Sequence, residues 1–169
     1  MTNPKNSAVN SNDLEEKEPV KIILAEDDQD DQELFMEALS ATNIPSEVTT
    51  VENGEELVNT LKDPAEPNPD IVFIDINMPV KGGKEALEEI KSDQKLKDIP
   101  AVMLSTSNHP ADIEETFNKG ANLYIQKPSS FTGFILILKK VFILHWTKAL
   151  MNPVKNIFFV SEKNISHKD

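Results

Sequence analysis

Four apolar segments of this 169-residue chain each end in side chains that can do chemistry. Residues 21–25 precede Glu26, Asp27 and Asp28; residues 71–74 precede Asp75; residues 101–104 precede Ser105, Thr106 and Ser107; and residues 123–126 precede Lys127. Short continuous apolar runs are typical of strands buried on both faces of a parallel sheet. Because ligands bind outside the carboxyl ends of the strands in such sheets, we expect these carboxylates, hydroxyls and the ammonium to meet at one edge.

The carboxylates of this edge are candidates for a metal site. Carboxylates placed close together raise one another's pKa unless a cation neutralises them. A hard divalent ion, for which Mg²⁺ is the first choice, binds one or two carboxylates and completes its shell with water and phosphate oxygens. Acidic residues in a chain with a net charge of −12 are usually solvated surface. Asp75, however, follows a fully apolar segment, which places it at the end of a buried strand.

A carboxylate beside Mg²⁺, with a lysine opposite and a hydroxyl nearby, has the groups needed to accept a phosphoryl group. The carboxylate would attack phosphorus, and the metal and the ammonium would neutralise charge on the transferred oxygens. The hydroxyl could then hydrogen-bond to the bound phosphate. The strand ends therefore predict phosphoryl transfer to a carboxylate.

The composition excludes several other kinds of site. All 17 basic residues are lysines, and because arginine is the main reader of guanine and phosphate groups, nucleic-acid binding is not expected. The absence of cysteine excludes disulfides, thiolate catalysis and cysteine-type zinc sites. The first 18 residues lack the apolar core of a signal peptide, which predicts a cytoplasmic protein.

One apolar stretch, residues 131–151, is long enough to span a bilayer. Lys139 and Lys140 lie near its middle, and a central lysine costs about 2.5–3.5 kcal/mol on insertion scales. The sequence therefore predicts a packed terminal helix and no membrane partner.

Strand and helix patterns alternate along the chain. The predicted helices cover residues 30–41, 54–62, 84–92, 110–119 and 130–150, and a weaker strand at residues 47–51 joins the four apolar ones. Five strands alternating with five helices predict an α/β domain with a parallel sheet and right-handed crossovers. We expect a disordered leader at residues 1–18, one domain at residues 19–150 and a C-terminal tail at residues 151–169.

In the order and spacing of these motifs, residues 19–150 resemble the receiver domain of bacterial two-component response regulators. The resemblance implies a flavodoxin-like, doubly wound (βα)5 sheet with strand order 2-1-3-4-5. It implies that Asp75 is the phosphoacceptor, within the segment Asp-Ile-Asn-Met-Pro. The Mg²⁺ ligands would be Glu26, Asp27, Asp75 and the backbone carbonyl of Asn77.

The same resemblance assigns roles to the fourth and fifth strand ends. Ser105 becomes the switch hydroxyl, because it lies 22 residues before Lys127, as the family's spacing requires. Lys127 would bind the phosphoryl group, and Tyr124 becomes the switch aromatic. The Lys127–Pro128 peptide bond would be cis.

The chain departs from the family pattern in places, and two other hypotheses remain. Lys-Gly-Gly at residues 81–83 replaces the usual Met-Asp-Gly, which leaves the stiffness of this loop open, and Asp28 is an extra acid without a role. A phosphatase of the haloacid-dehalogenase type also uses a strand-end aspartate, but it needs a second aspartate as general acid where this chain has Asn77. A degenerate receiver would bind partners without phosphorylation, although all the groups required for phosphorylation are present.

The resemblance implies a single-domain, phosphorylation-dependent binding switch and not an enzyme with a separate substrate. Its donor would be a sensor histidine kinase or a phosphotransfer protein, and its target an unidentified protein. Autodephosphorylation would be its only other reaction. Only 19 residues follow Leu150, too few for a DNA-binding module.

The predicted last helix has more apolar side chains than one buried stripe requires. The stripe consists of Phe134, Ile137, Leu138, Val141 and His145, and the side chains left over are Ile135, Phe142, Ile143 and Trp146. Because large exposed apolar patches usually mark interfaces, we expect a homodimer through this helix. The alternative is that residues 157–160 fold back and cover the patch.

Overall fold

The computed structural model describes residues 18–145 and 155–165. Of the predicted leader only Glu18 falls within these ranges, and residues 146–150 of the predicted last helix fall outside them. The strands are β1 (Val20–Ala25), β2 (Ser46–Val51), β3 (Ile71–Asp75), β4 (Ala101–Ser105), β5 (Leu123–Gln126) and β6 (Phe159–Val160). The helices are α1 (Gln29–Ala41), α2 (Gly54–Lys62), α3 (Gly83–Ser92), α4 (Pro110–Asn118), α5 (Phe131–His145), α6 (Lys155–Phe158) and α7 (Glu162–Ile165).

The strands form one parallel sheet in the order β2-β1-β3-β4-β5-β6. The first five positions confirm the predicted order 2-1-3-4-5. Strands β3 and β4 lie inside the sheet and are buried over their full length. This explains why both read as continuous apolar runs and not as alternating ones.

Helices cover both faces of the sheet, as a doubly wound fold requires. Helices α1 and α5 pack on one face, where the ring of Phe35 lies 4.9 Å from that of Phe73 and 5.8 Å from that of Phe134, both edge to face. Helices α2, α3 and α4 pack on the other face. The sheet between these two apolar layers is a rigid base for its carboxyl edge.

Helix α1 begins directly after β1 because Asp28 caps it. The Asp28 carboxylate accepts a hydrogen bond from the backbone N–H of Asp31 at 3.0 Å, which satisfies one of the free donors of the first turn. This gives the extra acid of the sequence a structural role. The cap also fixes the first turn of α1 beside the end of β1.

Helix α5 buries more of its surface than the sequence predicts. The four apolar residues of the predicted stripe that the structure describes are buried: Phe134, Ile137, Leu138 and Val141. The sequence predicts that Phe142 lies outside the buried stripe, and this prediction is wrong. Phe142 is 2% exposed, and its ring lies 6.5 Å from that of Phe73. Ile143 remains 67% exposed, and Trp146 lies outside the described residues. Across the described ranges, no helix has the length and apolar character needed to cross a membrane.

Residues 155–165, predicted as part of a tail, add a sixth strand to the sheet. Strand β6 pairs Phe159 with Tyr124 and Val160 with Ile125 in parallel register.

The segment does fold back along the edge of β5, and the alternative prediction holds in part. Val160 is buried in the same apolar cluster as Phe142 of α5, and Ile135 packs against this cluster. The aromatic Phe158 of the segment packs beside α4 and not against the exposed residues of α5.

Candidate functional site

The predicted chemical groups lie where β1, β3, β4 and β5 end. The pairs nearest this edge are Ala25 with Ile74, Asp75 with Leu104, and Ser105 with Gln126. Just beyond β5, the backbone N–H of Lys127 donates to the carbonyl oxygen of Ser105 at 2.7 Å. The parallel register therefore brings the last residue of each strand, or the one after it, to the same level.

The ammonium of Lys127 joins the carboxylates of this edge. Its Nζ donates hydrogen bonds to Glu26 Oε2 and Asp31 Oδ2, both at 2.8 Å, and to Asp75 Oδ2. The side chains of Glu26, Asp75 and Lys127 are only 3%, 7% and 17% exposed. The Asp31 side chain is 44% exposed. One ammonium thus serves two buried carboxylates and one partly exposed carboxylate, and its interactions with the buried pair are stronger than they would be at the surface.

The pKa values of Glu26 and Lys127 reflect this crowding. Burial and the neighbouring Asp75 raise the pKa of Glu26 to about 7, although the bond to Lys127 opposes this. Burial lowers the pKa of Lys127, but its hydrogen bonds to Asp31, Asp75 and Glu26 outweigh burial and hold that pKa above the ordinary lysine value. Lys127 is therefore a cation at neutral pH, and the carboxylates around it outnumber it.

The cluster that could hold a metal ion differs from the predicted ligand set. Glu26, Asp31 and Asp75 each place a carboxylate oxygen within 4.8 Å of the others, which suits a single hard cation. Asp27 is exposed and is not a member of this group. Asp31 is not among the predicted ligands. The signal for it was the N-cap at Asp28, because a helix starting there turns its third residue back toward the strand end.

The backbone after Asp75 is held tightly against β3. The N–H of Asn77 donates to Asp75 Oδ1 at 2.7 Å, so the two oxygens of this carboxylate are bound separately, one by Asn77 and one by Lys127. The N–H of Gly83 donates to the carbonyl oxygen of Ile76 at 2.9 Å. A Cβ atom on Gly83 would collide with the carbonyl oxygen of Asp75. Glycine at this position therefore lets α3 begin directly against the strand end.

Ser105 and Tyr124 are connected through Ser107, a strand-end residue for which the sequence predicts no role. The Ser105 hydroxyl is buried and accepts a hydrogen bond from the N–H of Ser107 at 3.1 Å. The Tyr124 hydroxyl donates to the carbonyl oxygen of Ser107 at 2.8 Å. The Tyr124 ring is fully buried, and the rings of Phe158 and Phe159 lie 6.4 and 5.9 Å from it. A movement of Ser105 would therefore change the contacts of Tyr124.

The Lys127–Pro128 peptide bond is trans, since no cis peptide bond occurs in the ranges that the structure describes. The predicted cis bond is therefore wrong. The trans form is favoured for bonds before proline by about 0.5–1 kcal/mol, and from it Lys127 contacts all three carboxylates.

Comparison with known proteins relates this site to a family. The model of the response regulator receiver domain matches residues 22–139, more than half of the chain. Response regulator Rcp1 of Synechocystis sp. is 33% identical over 117 residues, which cover 67% of this chain and 80% of Rcp1.

Solved structures agree with this match. The phosphorylated cyanobacterial phytochrome response regulator RcpA has a TM-score of 0.69 and 37% identity, with 78% of this chain and 96% of that chain covered. The Mn²⁺-bound form of response regulator Rcp1 has a TM-score of 0.67 and 27% identity, with coverages of 80% and 97%. From the sheet order, the matched residues and these relatives, the chain belongs to the response regulator receiver domain family.

Proposed function

We propose that this receiver accepts a phosphoryl group on Asp75 in a Mg²⁺-dependent reaction in the cytoplasm and then binds a protein target. The observation that carries the proposal is the position of Asp75. Its carboxylate ends a buried strand, is bound by the Lys127 ammonium and lies within reach of the Glu26 carboxylate. A nucleophile, a cation and a metal-binding acid are thereby brought to one point.

In the proposed reaction a carboxylate oxygen of Asp75 attacks the phosphorus of a phosphohistidine. The P–N bond breaks, and the imidazole leaves with the bonding electron pair and takes up a proton. Asn77 and Lys127 bind the two Asp75 oxygens separately and so fix the carboxylate before attack. Lys127 then exchanges one of its carboxylate hydrogen bonds for a charge-assisted hydrogen bond to an oxygen of the transferred phosphoryl group.

The proposed metal is Mg²⁺, held by Glu26, Asp27, Asp75 and the backbone carbonyl of Asn77. When bound, it neutralises charge on the transferred oxygens. Glu26 and Asp75 fit this role because their oxygens lie within 4.8 Å of each other and of Asp31, which we add to the set. Binding of Mn²⁺ by the relative Rcp1 supports a site for a divalent cation.

The output of the proposed switch is a change at α4 and β5. The Ser105 hydroxyl would move toward the phosphoryl oxygens, and the buried Tyr124 ring would fill the space behind it. The donor would be a sensor histidine kinase or a phosphotransfer protein. The description of RcpA as a phytochrome response regulator favours a kinase that senses light.

Labelling with acetyl phosphate tests the phosphoacceptor. With Mg²⁺ present, we expect one phosphate per chain that is stable in acid and labile to base and hydroxylamine, as an acyl phosphate is. Asp75→Asn should abolish labelling, and Asp98→Asn, at an exposed loop position, should not change it. Intact-mass spectrometry measures the outcome. Labelling of Asp75→Asn at the wild-type level would show that another residue is the acceptor.

A charge-removing pair of variants tests the metal cluster. In chelator at pH 8, Glu26→Gln should raise the free energy of unfolding by about 1–2 kcal/mol, because an amide replaces a buried carboxylate repelled by Asp75. Mg²⁺ should then stabilise the variant less than the wild type. Glu37→Gln, on the exposed side of α1, should change stability by no more than about 0.5 kcal/mol.

Chemical denaturation with and without Mg²⁺ measures both effects. Equal stabilisation of wild type and Glu26→Gln by Mg²⁺ would remove Glu26 from the ligand set.

Self-association through α5 stays a prediction, with a smaller apolar surface than the sequence suggests. Leu136 and Ile143 are 45% and 67% exposed on this helix. We expect a dimer at tens of micromolar protein and a monomer for the double variant Leu136→Glu, Ile143→Glu, because burying carboxylates at an interface is costly. Leu34→Glu on α1 is the matched control. A wild-type monomer in sedimentation, with and without a phosphoryl analogue, would disprove the dimer.

A further inference from the structure

The C-terminal segment, residues 155–165, covers the one aromatic side chain that the proposed switch uses. Strand β6 lies along the edge of β5 and pairs Phe159 directly with Tyr124. The Phe158 side chain is 1% exposed. Its ring lies 5.1 Å from that of Phe117 on α4, edge to face, and 6.4 Å from that of Tyr124. Phe158 therefore fills the space between α4 and β5 beside the Tyr124 ring.

Polar contacts hold this segment near both of its ends. The carboxylate of Glu162 accepts hydrogen bonds from the N–H and the hydroxyl of Ser129, both at 3.1 Å, and from the hydroxyl of Ser130. At the other end, Lys155 Nζ lies 3.1 Å from a carboxylate oxygen of Glu114 on α4. The segment thus joins α4 to the loop that follows Lys127 and Pro128.

These contacts favour the buried position of Tyr124. Its hydroxyl is bonded to the carbonyl oxygen of Ser107, and its buried ring lies between those of Phe158 and Phe159 and the apolar cluster on this face of the sheet. An outward rotation of the ring would have to displace Phe158, which is as well buried as the core of the sheet. The segment therefore selects the buried position of Tyr124 without any phosphoryl group.

We infer that the C-terminal segment and the phosphoryl group stabilise each other's binding through Tyr124. The inference rests on the proposed function, in which Ser105 moves toward the phosphoryl oxygens and a buried Tyr124 fills the space left behind. The docked segment favours that same ring position, so phosphorylation has to supply less free energy to reorganise the site. Because such coupling is reciprocal, phosphorylation must also tighten the docking of the segment by the same factor.

Binding of beryllofluoride, an analogue of the phosphoryl group, to the full chain with Mg²⁺ tests the inference. We expect Phe158→Ala and Glu162→Gln each to weaken binding about tenfold. The control Phe131→Ala removes a phenylalanine ring that is 43% exposed, at the start of α5, and should leave beryllofluoride binding unchanged. In the wild type, beryllofluoride should also slow hydrogen exchange of the amides of residues 158–160 about tenfold. This second measurement decides the matter if Phe158→Ala does not fold.

Four results would overturn the inference. Unchanged beryllofluoride affinity in Glu162→Gln and Phe158→Ala, or faster exchange at residues 158–160 on binding, would show that the segment is independent of the site or opposes it. Protection of these amides that is lost on dilution would assign the segment to a second copy of the chain. A wild type that binds no beryllofluoride would instead disprove the proposed function, and the inference with it.

Discussion

A single ammonium group holds the acidic edge of the sheet together. Lys127, just after β5, is bonded to carboxylates from the end of β1, the first turn of α1 and the end of β3: Glu26, Asp31 and Asp75. Glu26 and Asp75 are buried, and buried charges are costly unless they are paired. The arrangement therefore constrains β1, β3 and β5, and the partly exposed Asp31 adds the first turn of α1. Because one cation faces three carboxylates, the edge remains short of positive charge. This shortage is what favours a divalent cation beside Asp75.

Much of this edge could be predicted from the sequence, because two simple rules govern it. Continuous apolar runs identify buried parallel strands, and the carboxyl ends of such strands lie at one edge. These rules were enough to bring Asp75, Ser105 and Lys127 together. They say nothing about the first turn of a helix, and so Asp31 was missed. The trans bond at Pro128 contradicts an expectation taken from the resemblance to a family and not from the local chemistry of this chain.

The C-terminal part of the chain could be predicted least well, for a different physical reason. Strand β6 is two residues long, too short for any periodicity, and its pairing with β5 depends on tertiary contacts. Phe142 likewise looked like a surplus apolar residue beside a complete stripe. It is buried because α5 packs against the sheet, where the Phe142 ring contacts that of Phe73. Sequence patterns show which residues are apolar, but the partner of each is decided by packing.

Thermal unfolding of Lys127→Met, with and without Mg²⁺, tests most directly whether this ammonium holds the site together. In chelator the variant should lose about 3–5 kcal/mol of stability, because the buried carboxylates lose their cation. Mg²⁺ should then stabilise it more than the wild type. Lys95→Met, at an exposed position, provides the matched control. A Lys127→Met midpoint equal to that of the wild type in chelator would contradict the central role of Lys127.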